Sequence, residues 1–146
     1  MNQNTKPVEL SYYGLYLLSY LREHHPDKAG DASFVEERAD RAAEVFEQAR
    51  REGYLPEGAQ ELAMAALLEG LRFSKYDTII EVLWNEFPDE IAQSDAPVIA
   101  LRLLPYVEGI FTQYPLSDDF AYSSKYEQLY TELTGAVSIS LEEDGI

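Results

Sequence analysis

The sequence of 146 residues contains no cysteine. Disulfide bonds, thiolate metal sites and a cysteine nucleophile are therefore excluded. Basic residues are also few, because 11 Lys and Arg stand against 27 Asp and Glu, which gives a net charge of −16 at pH 7. No segment has the run of about 20 apolar residues that a membrane-spanning helix needs, and the first residues do not have the order of a secretory signal. We therefore expect a cytoplasmic protein that does not enter a membrane.

The common catalytic and phosphate-binding motifs are missing as well. The sequence has no GxGxxG, GxxxxGK[ST], HExxH or GxSxG pattern, which are the usual devices for holding phosphate, for zinc hydrolysis and for serine acyl transfer. No catalytic, cofactor-binding or metal-binding residue stands out from the rest, and no cofactor is expected. The sequence therefore gives no positive support for an enzyme.

Histidines and paired aspartates are the residues closest to a metal-site pattern. His24 and His25 are the only histidines, and adjacent helical residues point about 100° apart, so they cannot chelate one ion from a regular helix. We interpret them as solvated residues at a helix C-terminus. Asp118 and Asp119 lack the alternating spacing of a calcium loop. We expect one of them to cap a helix and the other to face water.

Negative charge is concentrated in the C-terminal half of the chain. Residues 76–146 contain fourteen acidic side chains and only two basic ones, Arg102 and Lys125, for a net charge of −12. Nucleic acids are bound through clustered Lys and Arg, which displace counterions from the phosphates. We therefore expect no direct binding to nucleic acid, and anionic membrane surfaces are disfavoured for the same reason.

Apolar residues recur at helical spacing in each long segment, which predicts an all-α fold of about six helices. We interpret residues 1–146 as a single compact domain that begins with a polar tail at residues 1–7. Pro26 is expected to end the first helix, because the residue before a proline is pushed out of helical space. Ser33 and Glu36 have the spacing of a capping box, so the second helix is predicted to begin there.

The later helices carry three further signals. Pro56 suits the first position of the third helix, which is expected to extend to Leu71. Pro105 lies inside the fifth helix, where it removes a backbone hydrogen bond and clashes with the preceding turn, so we expect a kink or a break. Residues 136–143 alternate apolar and polar side chains like a strand. Because no other segment offers it a partner strand, we interpret this stretch as a continuation of the last helix.

The predicted core consists of apolar residues on the inner faces of the helices. Trp84, flanked by Ile80 and Phe87, is placed in this core. The full expected set is Leu17, Phe46, Leu67, Leu71, Ile80, Leu83, Trp84 and Leu104.

The first helix carries a stripe of tyrosines. Tyr12, Tyr16 and Tyr20 lie at positions i, i+4 and i+8, and Tyr13 lies beside them, so they share one wide face. A platform for stacking bases would combine such rings with basic side chains, and only Arg22 is near. Because tyrosine joins an apolar ring to a polar hydroxyl, we interpret these four residues as core or interface positions and as the candidate partner surface.

Three segments resemble a family of uncharacterised proteins from Bacteroidetes. They read SYYGLYLLSYLREHHPD at 11–27, FSKYDTIIEVLWNEF at 73–87 and YPLSDDFAYSSKYEQLYTELTG at 114–135. The resemblance covers essentially the whole chain. It implies a compact helical fold in a cytoplasmic bacterial setting, often near conjugative or mobile-element genes. It implies no activity, and no site residue follows from it.

Two functions from different classes agree with these observations. The first is a non-enzymatic helical module that binds another protein through its tyrosine-rich first helix. The alternative is an acidic decoy that imitates the charge of DNA and occupies a basic nucleic-acid-binding protein. The decoy would depend on the acidic C-terminal half and on the mobile-element setting that the resemblance implies. Association with a second copy of the chain stays open.

Overall fold

The computed structural model describes residues 10–144. The α-helices are α1 (Tyr12–His24), α2 (Ala32–Arg51), α3 (Pro56–Leu67), α4 (Lys75–Glu86), α5 (Ala96–Phe111) and α6 (Tyr126–Asp144). Short 3₁₀ turns lie at Gln93–Asp95 and Phe120–Tyr122. Residues 10–144 contain no strand, so the predicted all-α fold of about six helices is confirmed. Within this range no helix has the length and apolar character needed to cross a membrane.

The chain divides into two compact units. Unit 1 comprises residues 1–69 and contains α1, α2 and α3, whereas unit 2 comprises residues 70–146 and contains α4, α5 and α6. The interpretation of residues 1–146 as one domain stays a prediction. The predicted polar tail at residues 1–7 lies outside the described residues.

Short-range signals set several helix ends, and those at Pro26 and Pro56 are as predicted. Helix α1 ends at His24, directly ahead of the His25–Pro26 pair, and α3 begins at Pro56. Helix α4 begins after Ser74, whose hydroxyl accepts a hydrogen bond of 2.9 Å from the backbone N–H of Asp77. Such a bond satisfies one of the backbone donors that a helix start leaves without an intrahelical partner.

The predicted start of α2 is wrong by two residues. Asp31, and not Ser33, is the N-terminal cap, because its carboxylate accepts a hydrogen bond of 3.1 Å from the backbone N–H of Phe34. Aspartate and serine are about equally good caps. With both residues in one short segment, the sequence pattern alone does not distinguish them.

The predicted end of α3 is also wrong, because the helix stops at Leu67 and does not reach Leu71. Gly70 has a φ of +78°, a left-handed conformation that interrupts helical geometry and that glycine adopts readily. The Arg38 guanidinium of α2 donates hydrogen bonds to the carbonyl oxygens of Leu67, at 3.0 Å, and Glu69, at 2.8 Å. The end of α3 is therefore closed by a side chain from the neighbouring helix.

Helices α5 and α6 both continue through positions that the sequence marks as doubtful. Helix α5 runs without a break through Pro105. Of the two outcomes expected there, the break is therefore wrong, and the kink stays a prediction. Helix α6 continues past Gly135 to Asp144. Residues 136–143 are therefore helical, as interpreted.

The core of unit 1 is formed largely by small side chains. Leu17 and Leu67 are fully buried, as predicted, whereas Phe46 is only partly buried. Alanine is the most frequent residue type among the buried residues of α2 and α3, and its short side chain permits close packing of helices. The buried alanines of the two helices are Ala39, Ala42, Ala49, Ala59 and Ala63.

The core of unit 2 is larger and richer in branched and aromatic side chains. Leu71, Ile80 and Leu83 are buried, as predicted, and Leu104 is partly buried. The core placement of Trp84 is wrong, because 45% of this residue is exposed. Fully buried large side chains of the unit are Ile79, Leu83, Leu103, Phe111, Phe120, Leu129 and Leu133.

Candidate interaction surfaces

Helix α1 presents an aromatic face to solvent. Its opposite side is anchored by Leu17 and Leu21, both fully buried. Tyr12 is 61% exposed, Leu15 57% and Tyr16 41%. Because the helix is held by its leucines, these three side chains are exposed on a well-supported element rather than on a loose segment. We call Tyr12, Leu15 and Tyr16 the α1 surface.

The other two predicted surface residues are partly buried. The Tyr13 hydroxyl donates a hydrogen bond of 2.7 Å to the side-chain oxygen of Gln60 in α3, and burial raises the pKa of Tyr13. The ring of Tyr20 lies 4.6 Å from the ring of His24. The structure therefore divides the predicted tyrosine stripe into two exposed residues and two that border the packing of unit 1.

The exposed rings of the α1 surface are arranged by contacts with each other. The ring of Tyr12 lies 5.4 Å from that of Tyr13 in an edge-to-face arrangement and 6.3 Å from that of Tyr16. Aromatic pairs at such distances favour defined orientations. The contacts thus restrict the rings while leaving much of their surface accessible.

One of the two histidines differs from the sequence interpretation. His25 is buried, with 7% of its surface exposed, and its ring stacks at 6.2 Å on that of Tyr20. His24 is partly exposed, as a residue in the last turn of α1. Among the described residues, no three His, Asp or Glu side chains are arranged to hold a metal ion.

Trp84 forms a second exposed aromatic site, in unit 2. Its indole N–H donates a hydrogen bond of 3.2 Å to the backbone carbonyl oxygen of Gln93, which holds the polar edge of the ring against the segment that follows α4. A cavity of about 410 Å³ lies beside the ring and is lined by Trp84, Asn85, Pro88, Ile91 and Gln93. We call it the Trp84 groove.

Sequence reasoning missed the Trp84 groove because Trp84 continues the apolar pattern of α4. Ile79, Ile80 and Leu83 have helical spacing with it and are all buried. Each step along a helix turns by about 100°, so Trp84 lies at the edge of the buried stripe. The available signal was the surrounding charge, because residues 76–101 contain six carboxylates and no Lys, Arg or His.

Two carboxylates of α4 are held by tyrosines of α6. The Tyr126 hydroxyl donates a hydrogen bond of 2.6 Å to Glu81, and the Tyr130 hydroxyl donates one of 3.0 Å to Glu86. Burial, followed by the hydrogen bond to Glu81, raises the pKa of the Tyr126 hydroxyl. Burial is also the main cause that raises the pKa of Tyr130. Unit 2 thus uses neutral phenols to bind carboxylates where basic side chains are scarce.

A third phenol of unit 2 binds a carboxylate in the same way. The Tyr114 hydroxyl donates to Glu132, and this hydrogen bond is the largest of the causes that raise the pKa of Tyr114 to about 12. A conventional ion pair also occurs in the unit, between Lys75 and Glu108 at 3.0 Å.

Asp118 binds backbone groups of the segment that leads into α4. Its carboxylate accepts hydrogen bonds of 3.0 Å from the backbone N–H groups of both Gly70 and Arg72. Asp119 accepts a hydrogen bond of 2.7 Å from the hydroxyl of Ser117. The expected helix cap is therefore wrong, because the backbone donors that Asp118 satisfies belong to the segment ahead of α4 and not to a helix end.

The outer face of α5 is the third exposed apolar surface. Val98, Leu101 and Tyr106 are all exposed, and Val98 and Leu101 lie one turn apart. The opposite face of the helix is buried through Ala100, Leu103 and other residues of the core. The described residues therefore leave an apolar strip of α5 in contact with solvent.

A family comparison accounts for nearly the whole chain. Residues 5–146 match the family model described as "Domain of unknown function (DUF1896)". The chain belongs to this family. The match agrees with the resemblance to an uncharacterised family, which its residues suggested.

A solved structure agrees with the family and the fold. The protein PG0816 from Porphyromonas gingivalis, a member of the Bacteroidetes, is 39% identical to this chain. The match has a TM-score of 0.87 and covers 93% of each chain. A comparison with curated proteins gave no match. The DUF1896 fold is therefore supported by a crystal structure of a relative.

Proposed function

We propose that this DUF1896 protein is a non-enzymatic helical module that binds another protein through the α1 surface. The observation that supports this proposal most strongly is the exposure of Tyr12, Leu15 and Tyr16 on a helix whose other side is anchored in the core of unit 1. Tyrosine is enriched in protein interfaces because its ring supplies contact area and its hydroxyl keeps the surface compatible with water. We also propose that the protein acts in the cytoplasm of a bacterium and that its gene lies near mobile-element genes.

The α1 surface consists of three side chains, which suits a protein interface whose binding energy comes from a small hot spot. Interfaces obtain most of their binding energy from a few aromatic or other large side chains, which are surrounded by contacts of little energetic weight. Two tyrosines and one leucine are enough to form such a hot spot. The restricted ring orientations lower the conformational entropy that would be lost on binding.

Photo-crosslinking in the native cell tests the proposal. A photoreactive side chain in place of Leu15 should capture a defined partner protein, whereas the same group in place of Glu44, an exposed residue of α2, should not. With the photoreactive group at Leu15, the double variant Tyr12→Ser/Tyr16→Ser should abolish capture of the partner, while its circular dichroism spectrum should stay unchanged. The paired change Tyr54→Ser/Leu55→Ser, at two exposed apolar residues of the same unit, serves as the matched control.

Three results would refute the proposal. Equal capture from Leu15 and Glu44 would show that the α1 surface has no selectivity. Capture that survives Tyr12→Ser/Tyr16→Ser would place the contact elsewhere. Capture of a DNA-binding protein that depends on the carboxylates of unit 2 would favour the acidic decoy instead.

A further inference from the structure

The Trp84 groove is an aromatic site in an entirely acidic stretch of the chain. Of the six carboxylates in residues 76–101, Glu81 and Glu86 bind phenols of α6. Asp89 and Glu90 are exposed and lie in the turn between two lining residues of the groove. In the part of the chain that the structure describes, neither of them forms an ion pair with a basic side chain.

The indole of Trp84 is oriented so that its apolar ring remains available. Its only polar group already donates to the carbonyl oxygen of Gln93, so a ligand gains nothing by hydrogen bonding to the ring and must use its faces or edges. The face of an indole attracts cations more strongly than that of the other aromatic side chains. The planar guanidinium of arginine stacks on such a face and also binds carboxylates through several N–H groups.

We propose that the Trp84 groove binds an arginine side chain carried by a basic segment of a partner protein. The guanidinium stacks on Trp84 and pairs with Asp89 and Glu90 at the adjacent turn. Charge complementarity supports this occupant, because unit 2 contains fourteen acidic and four basic residues, a net charge of −10. This binding goes beyond the proposed function, because it uses a different surface in a different unit and does not depend on the α1 surface.

Tryptophan fluorescence tests the proposal directly, because Trp84 is the single tryptophan of the protein. An arginine–glycine repeat peptide should change the emission of the full-length protein in a saturable manner. The corresponding lysine–glycine peptide has the same charge but lacks the planar guanidinium, and it should bind several-fold more weakly. Calorimetry should show that Trp84→Leu lowers the affinity for the arginine peptide about tenfold, since the leucine preserves an apolar side chain but removes the π face.

Charge-neutralising variants separate a local site from general attraction. Asp89→Asn/Glu90→Gln should weaken arginine-peptide binding at least about fivefold. Glu142→Gln/Glu143→Gln removes the same amount of charge from exposed positions near the end of α6 and should leave the affinity within about twofold. Thermal melts of both variants establish that the fold is intact.

Several outcomes would overturn the inference. Equal losses in the two neutralised pairs would mean that net charge alone attracts the peptide. An unchanged affinity in Trp84→Leu would exclude the indole. Equal affinity for the lysine and arginine peptides, or for arginine amide alone, would remove the argument for an arginine-bearing segment. Because the α1 surface is unchanged in all these variants, the crosslinking result from Leu15 remains an independent test of the proposed function.

Discussion

Replacing Asp118 with alanine would remove two backbone hydrogen bonds from the segment that leads into α4. The carboxylate accepts from the N–H groups of Gly70 and Arg72, both at 3.0 Å. A hydrogen bond to a charged group contributes about 1.5–3 kcal/mol in general. These two are exposed to solvent, so water can replace part of each. We therefore expect Asp118→Ala to lower the free energy of unfolding by about 1–2 kcal/mol in total.

Two further variants make this prediction specific. Asp119→Ala removes a single exposed hydrogen bond to Ser117, from a residue only two positions away, and should cost no more than about 0.5 kcal/mol. Asp118→Asn keeps one acceptor oxygen and replaces the other by a donor, so its loss should be about half that of Asp118→Ala.

Urea denaturation followed by tryptophan fluorescence measures these losses of unfolding free energy in unit 2, where the substituted residues lie. Trp84 is the single tryptophan and belongs to unit 2, as do Asp118 and its partners, whereas circular dichroism reports helices of both units. The midpoint should fall in the order wild type, Asp119→Ala, Asp118→Asn, Asp118→Ala, with unchanged slopes. A loss for Asp118→Ala that equals the loss for Asp119→Ala would refute the reasoning, because the two carboxylates would then be equivalent.

Three other predictions concern packing, pH and salt. Leu83→Ala should cost about 2–5 kcal/mol in urea denaturation because the side chain is fully buried, whereas Trp84→Ala should cost about 1.5–2.5 kcal/mol, roughly half the value of a fully buried tryptophan. The raised pKa of Tyr126 and of Tyr130 favours their neutral forms in the folded protein, so their contribution is complete below about pH 10 and is lost as the pH rises further. Melting temperatures measured from pH 8 upward should therefore fall less steeply above pH 10 in Tyr126→Phe/Tyr130→Phe. The melting temperature should rise between low and moderate sodium chloride, because salt screens the repulsion between carboxylates over about 10 Å at 0.1 M. A gel-shift titration should detect no binding of the protein to duplex DNA.

Each of these three predictions has a clear contrary result. A Trp84→Ala loss above about 3 kcal/mol, the range of a fully buried tryptophan, would mean that the indole contributes to the core of unit 2. An alkaline decline of the double tyrosine variant that matches the wild type would mean that the phenol–carboxylate pairs do not govern stability there. A melting temperature that falls with added salt would show that attractive ion pairs outweigh the repulsion.

The sequence alone predicted the all-α class and several helix ends, because the signals concerned act within one or two turns. Pro26 and Pro56 restrict the backbone of their immediate neighbours. Gly53, which follows α2, has a φ of +98°, a left-handed conformation that glycine adopts readily. The errors at the start of α2 and the end of α3 arose where two equivalent local signals competed, or where a distant side chain such as Arg38 closed the helix.

Local periodicity also predicted which helices have apolar stripes, but only tertiary packing decided how much of each stripe is covered. In α1 the stripe is wider than the contact with the rest of unit 1, so Leu17 is buried and Tyr12 is exposed. In α4 the same excess leaves Trp84 at the edge of the buried face. The width of a stripe is a property of the sequence, whereas the width of the contact depends on the positions of neighbouring helices. The α1 surface and the Trp84 groove both lie where the apolar stripe is wider than the contact that covers it.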